Sequence, residues 1–445
     1  MWFTAPLSSR KGKPAPQRRS PAPRLERLED RTVPSGYQQL NLTGFQAGMG
    51  HFTDPNLNGW GMASIPDGSF AVANRFSTGV VTFYDRSGHA LPQTISVPAS
   101  ASQPFGPVGH PTGIVYNPTS DFVISANGKS APARLLFDSI DGTISGWNPA
   151  VDPTHAIVLV DNFAAGHPAV YTGLDIAQNG HGKNVLYAAD IINDRVDMLD
   201  GGFHSLGSFT DPSVVGAGAW QVEDVNGRLF VTFGTLAPPF GGVVDVFDTD
   251  GHLLTPNHFA ANAPGAGPLE NPWGIIQAPA NFGAYSNDLL IGNVEGPGNI
   301  NAFDPATGAY LGQLRHPDGT PVAIPGLWDL TFGTGTPASG KTNQLFFDAG
   351  PNAPNLAGNG LFGVIFAAGD QSGNSDVAAA PAAPAGQQPQ TAPSPAPLHA
   401  DALPPTTGQQ VQALPPPVRR CPCGHPLALD QLFAILDGDP RQGVV

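Results

Sequence analysis

The sequence predicts an all-β chain folded as a six-bladed β-propeller. Three observations predict it. A strand opening recurs at Trp60, Thr112, Thr172, Trp220, Trp273 and Trp328, at intervals of 52, 60, 48, 53 and 55 residues. Each opening leads into short apolar runs separated by Gly, Asn, Asp and Pro, the pattern of strands and turns rather than helices. The sixth unit lacks a fourth strand, and an unpaired candidate stands near the start of the chain.

The elements follow in order. First strands are Trp60-Gly-Met-Ala, Thr112-Gly-Ile-Val, Thr172-Gly-Leu-Asp, Trp220-Gln-Val-Glu, Trp273-Gly-Ile-Ile and Trp328-Asp-Leu-Thr. Second strands begin at Phe70, Leu135, Leu186, Leu229, Leu289 and Leu345, and third strands at Val80, Thr143, Arg195, Val243, Ile300 and Leu361. Most third strands end in Asp or Asn followed by a turn, where such side chains bond their own backbone. Four antiparallel strands per blade are expected, because one unit cannot bury both its faces without copies beside it. Tyr37-Gln-Gln-Leu-Asn-Leu-Thr-Gly-Phe45 is expected to close the ring on the last blade, which would otherwise expose a long edge. Phe52-Thr-Asp-Pro and Phe209-Thr-Asp-Pro mark equivalent exits from a fourth strand.

The expected organisation is a basic leader over 1–36, the propeller over 37–368, a Pro/Ala/Gln-rich linker over 369–418 and a tail over 419–445 with a short helix. The linker has too few apolar residues to fold. With 55 Gly and 48 Pro in 445 residues, the composition suits short strands, turns and unstructured ends. Residues 35–368 hold nine Lys/Arg against 26 Asp/Glu, a net of −17. Such a body repels nucleic acid and tolerates cations. No apolar run is long enough for a transmembrane helix. A monomer is expected.

Two resemblances follow from these residues. Arg24-Leu-Glu-Arg-Leu-Glu-Asp-Arg31 resembles the Leu-Glu-Asp-Arg tract near the start of many bacterial surface proteins, which implies export to the cell envelope or outside. Thr53-Asp-Pro-Asn-Leu, Asp141-Gly-Thr-Ile-Ser-Gly-Trp-Asn, Leu186-Tyr-Ala-Ala-Asp, Gly242-Val-Val-Asp-Val-Phe-Asp, Asn271-Pro-Trp-Gly, Ile300-Asn-Ala-Phe-Asp and Gly326-Leu-Trp resemble a family of uncharacterised bacterial proteins of six-bladed propeller type. The strand pattern is also similar to NHL repeats, and the ring to gluconolactonase-like and regucalcin-like enzymes. The latter resemblance implies a central cation held by carboxylate and Asn ligands. No run of this sequence matches those enzymes' ligand motifs.

Candidate chemistry gathers on one rim, where loops joining strands 2–3 and successive blades meet. Trp60, Asn74, Arg75, His110, Asp138, Trp273 and Trp328 are the expected ligand-binding residues, and Asp54 and Asp211 share that rim. Asp190, Asn293, Glu270 and Asp348 are the expected ligands of a divalent cation, calcium or magnesium, since hard cations take oxygen ligands. The simpler reading of these Asx residues is turn capping. For the tryptophans it is packing between blades. The histidines show no paired zinc-hydrolase spacing, and Cys421, Cys423 and His425 are spaced more tightly than a usual zinc knuckle. With no catalytic signature, the chain reads as a non-catalytic binding or scaffold propeller for a protein or glycan partner. The alternative is a divalent-cation-dependent hydrolase or lactonase.

Overall fold

The computed structural model describes residues 1, 35–75, 79–235, 239–350 and 360–370, and the backbone of 419–420 and 426–427. The chain divides into residues 1–33, of which only Met1 is described, and 34–445, which holds the propeller. Most of the expected leader and of the linker, Cys421, Cys423 and the short C-terminal helix lie outside the described residues.

Six antiparallel sheets form the ring. Blade 1 is Gly59–Ser64, Phe70–Asn74, Val80–Tyr84 and Ala90–Ser96. Blade 2 is Pro111–Tyr116, Leu135–Ser139, Thr143–Trp147 and Ile157–Asp161. Blade 3 is Tyr171–Gln178, Asn184–Asp190, Arg195–Asp200 and Ser205–Phe209. Blade 4 is Gly218–Asp224, Leu229–Gly234, Gly242–Phe247 and Ala260–Asn262. Blade 5 is Pro272–Gln277, Leu289–Asn293, Ile300–Phe303 and Tyr310–Gln313. Blade 6 is Leu327–Phe332, Leu345–Ala349 and Leu361–Ala367, completed by Tyr37–Gly44 from the start of the chain.

That closing strand pairs antiparallel with Leu361–Ala367, from Tyr37 opposite Ala367 to Gly44 opposite Leu361, with an irregularity between Asn41 and Thr43. Leu42 is wholly buried with Leu57, Phe70, Phe346 and Phe362 in the seam between blades 6 and 1. Tyr37 reaches the other way. Its ring packs 4.9 Å from Phe282, and its hydroxyl accepts the Tyr285 N–H from blade 5. One strand thus ties together three consecutive blades.

Apolar clusters fill the seams between neighbouring blades. Val81, Phe83, Ile114 and Phe137 join blades 1 and 2. Tyr187, Val222, Val231 and Phe247 join blades 3 and 4. Second strands are buried throughout, as in Leu229–Gly234, whereas the outer strand Ser205–Phe209 is largely exposed. This gradient explains why the second strands read as continuous apolar runs. At the axis the first strands approach closely. A Cβ on Gly61 would lie 2.4 Å from the Thr112 carbonyl oxygen, and one on Gly274 would lie 3.0 Å from that of Trp328. Glycine after the opening residue is therefore a packing requirement at Gly61 and Gly274, whereas blades 4 and 6 carry Gln221 and Asp329 there. The 60-residue interval in the second unit reflects an added hairpin, Val123–Ala126 with Lys129–Pro132.

Candidate metal centre

The four recurrent tryptophans meet at the axis. Trp60 stacks on Trp328 at 3.9 Å, Trp273 stands edge-on to Trp328 at 4.5 Å, and Trp220 lies 4.8 Å from Trp273. Trp60 and Trp273 are each 1% exposed, and the Arg75 guanidinium lies 4.2 Å from the Trp60 ring centre. These rings fill the axis between blades.

The expected rim oxygens are mostly engaged with backbone. The Asn74 side chain accepts the Asn58 N–H at 2.7 Å and donates to the carbonyls of Val72 and Val80. Asp138 Oδ1 accepts the Gly113 N–H and the Thr112 hydroxyl. Asp190 accepts the Val170 N–H, Asn293 the Glu270 N–H and Asp348 the Asp329 N–H. Each stands at or next to the end of its second strand and anchors the start of the first strand beside it. Burial pushes Asp138 up to about 7 against the pull of Thr112 and Gly113, and Asp190 up to about 6 against Asn193. It also holds Asp348 well above the usual carboxyl range, with the Asp329 charge adding to the shift. Asp190, Asn293 and Asp348 thus stand in three different blades, and the Glu270 backbone meets Asn293 alone of them.

A carboxyl group appears on three first strands beyond the tryptophans: Asp175, Glu223 and Asp329. Burial pushes Asp175 up to about 7 and Asp329 up to about 6, and it raises Glu223 further with help from Asp175, Asp329 and Asp224. Asp175 accepts the N–H groups of Ile176 and Asp224, and Asp329 those of Leu330 and Met62. Sequence reasoning missed them. The signal was an acid in strands that elsewhere carry Gly, Ala, Val or Ile.

One cluster has metal-ligand character. Asp211, Asp245 and His258 offer ligand atoms that all lie within 4.8 Å of one another. Asp211 follows the last strand of blade 3, Asp245 sits mid-strand in Gly242–Phe247, and His258 precedes Ala260–Asn262. Asp245 faces Val231 across its sheet, and the matching third-strand positions are Thr82, Ser145, Asp197, Asn301 and Gly363. Where blade 3 has Asp197, Arg195 Nε meets it at 2.7 Å. Blade 4 supplies no arginine there. His258 Nδ1 lies 3.0 and 3.2 Å from the two Asp245 oxygens and 3.6 Å from Asp211 Oδ2.

The geometry around the cluster is held from several sides. The Ser213 N–H and hydroxyl both bond Asp211 Oδ1 at 2.7 Å. Asp211 Oδ2, though buried, receives no hydrogen bond among the described residues. His258 has φ 64°, a left-handed conformation uncommon outside Gly, Asn and Asp, which its surroundings must hold. Burial pushes Asp245 up to about 6. His258 pulls it down, and Asp211 adds to the rise. Burial would raise Asp211 as well, but the bonds from Ser213 outweigh it and bring it below the ordinary value. Two buried carboxylates beside an imidazole carry the ligand types that a divalent cation satisfies. The orphaned Asp211 oxygen is the acceptor such an ion would fill.

This cluster corrects the expectation of a non-catalytic binding or scaffold propeller. Surface presentation does not call for a buried, partly unsatisfied Asp–Asp–His set, and the cation-dependent alternative is the better supported. Asp211 was among the expected rim oxygens, whereas Asp245 and His258 were not singled out. The signal for Asp245 was a charge inside Val-Val-Asp-Val-Phe. His258 had none, because only folding brings its loop back onto the strand.

No family profile matches the chain. Among known proteins, it is 32% identical over 313 residues to the uncharacterized protein L690 of Acanthamoeba polyphaga mimivirus, covering 66% of this chain and 77% of that protein. It is 30% identical over 314 residues to the uncharacterized protein R648 of the same virus, covering 67% and 72%. These relatives are viral, so they do not support the expected bacterial family. Among solved structures, the PQQ-bound aldose sugar dehydrogenase of Streptomyces coelicolor overlaps with a TM-score of 0.42 at 13% identity, over 74% of this chain and 99% of that one. Virginiamycin B lyase of Staphylococcus aureus overlaps with a TM-score of 0.38 at 12% identity, over 70% and 80%. Overlaps this loose say nothing of this chain's chemistry.

Proposed function

This chain belongs to the family of the mimivirus proteins L690 and R648, and we propose that it works as a divalent-cation-dependent hydrolase of lactone or related ester bonds, with Asp211, Asp245 and His258 holding the cation. The observation that carries this reading is the convergence of Asp211, Asp245 and His258, whose ligand atoms all lie within 4.8 Å of one another. Calcium and magnesium suit the carboxylates, and the imidazole moves the preference toward manganese or zinc. Bound there, a divalent cation supplies Lewis acidity toward a carbonyl oxygen.

The chain's own groups do the rest. Ser213 orients Asp211, and the Thr255 hydroxyl approaches Asp245 Oδ1 at 3.4 Å. The His258 side chain is 25% exposed and marks the side from which a substrate enters. The cluster lies at the seam of blades 3 and 4, unlike the central cation of gluconolactonase-like enzymes. Those enzymes therefore supply the reaction class and not the ligand set.

The test is hydrolysis of glucono-δ-lactone and p-nitrophenyl acetate by EDTA-stripped protein, with manganese, zinc, calcium or magnesium restored singly. Turnover should return with one metal and be lost in Asp245→Asn. Turnover indifferent to both chelation and Asp245→Asn, or none with any metal, would overturn the reading. The basic leader and its Leu-Glu-Asp-Arg tract support a site of action at the cell envelope or outside, which fractionation of expressing cells would check.

A further inference from the structure

Blade 2 departs from the repeat beside the axial tryptophans. In blades 1, 3, 5 and 6 one Asx at or beside the end of the second strand anchors the start of the first, as Asn74 does for Asn58 and Asp190 for Val170. In blade 2, Asp138 already does this for Thr112 and Gly113. A second carboxylate, Asp141, is then spent on His110 alone. It accepts the His110 N–H at 2.6 Å and lies 3.1 and 3.2 Å from its ring Nδ1. Asp141 is 0% exposed, and the His110 side chain is 18% exposed.

The pairing fixes the imidazole. A carboxylate accepts, so Nδ1 donates to Asp141, and the tautomer that this pairing selects leaves Nε2 as the acceptor. The exposed His89, His204 and His252 pair with an Asp four residues earlier in their own turns. His110 instead takes a partner 31 residues away. Its surroundings are apolar. The Phe105 ring lies 6.1 Å away and edge-on, and Phe163 lies 5.8 Å from Phe105. Both phenylalanines are partly buried against the cluster containing Trp60, Ile140 and Trp273.

We propose that His110 and Asp141 form a second ligand site for a phenolic ring, whose hydroxyl donates to His110 Nε2 while its face lies against Phe105 and Phe163. A phenol is a strong hydroxyl donor with an aromatic body, and aromatic side chains favour edge-on and offset partners. The site is separate from the Asp211–Asp245–His258 centre, so its test uses EDTA-stripped protein.

Histidine-labelled protein is titrated with p-cresol and, in parallel, with 4-methylanisole, which has the same body but no hydroxyl. The 15N shifts should place the proton on Nδ1, and p-cresol should move the His110 ring signals. The ether should bind about tenfold more weakly, the worth of one hydrogen bond. His110→Gln, checked for an unchanged melting curve, should erase the difference between the two probes. If that variant does not fold, the wild-type comparison decides alone. Equal binding of the two probes, no movement of the His110 signals, or a proton on Nε2 would overturn the proposal.

Discussion

Glu223 shows how single residues set this protein's response to pH. Its carboxyl accepts no hydrogen bond among the described residues. Burial holds it well above the ordinary range, and Asp175, Asp329 and Asp224 raise it further. A carboxyl with a raised folded value binds its proton more tightly in the fold. The stability it brings is full below the unfolded value, about 3.9–4.3, and is lost as pH rises through the folded one. For Asp329 and Asp175 that loss runs from about 4 up to about 6 and about 7, respectively. Asp304 and Asp318, lowered chiefly by hydrogen bonds from Thr307 and Thr320, act in the opposite sense and lose their contribution as pH falls below about 4. The melting temperature should therefore peak at mildly acidic pH and decline toward neutrality. Glu223→Gln removes the charge with little change of shape. It should raise the melting temperature at pH 8 by about 2 °C or more and leave it unchanged at pH 5. Calorimetry at the two pH values checks this. None of these acids was legible as a cluster in the sequence. Asp175, Glu223 and Asp329 sit in three different repeats, and only ring closure brings them toward one axis.

Strands were more legible than sites, because the apolar run and its bounding turn are local. Tyr37–Gly44 was readable as the closing strand because one unit was a strand short and one strand was spare. Leu42→Ala, in the seam of blades 6 and 1, should cost about 2–5 kcal/mol, read as a lower denaturation midpoint. Gln39→Ala, on the same strand but outside the core, should leave that midpoint nearly unchanged. The first strands make a second demand. Gly61→Ala would press a methyl into the Thr112 carbonyl at 2.4 Å and should destabilise by about 1–3 kcal/mol, again visible in the denaturation midpoint. The hairpin Val123–Ala126 with Lys129–Pro132 was not read in advance. Its only trace was the long interval from Thr112 to Thr172, which a longer loop would explain equally well.

Across the whole molecule, the repeat defines a ring and the departures from it define chemistry. Asp245 replaces the small polar residue of blades 1 and 2, and its loop folds His258 back against it, with Asp211 arriving from blade 3. A cation there joins two blades, so it should stabilise the ring as well as equip it for hydrolysis. Chelation should accordingly lower the melting temperature of wild-type protein and leave Asp245→Asn unaffected. The most direct measurement is anomalous diffraction from crystals equilibrated with manganese. The account predicts a peak bounded by Asp211, the Asp245 carboxylate and the His258 imidazole. A well-ordered map without manganese at that position, with the His258 ring still bonded only to Asp245, would contradict it.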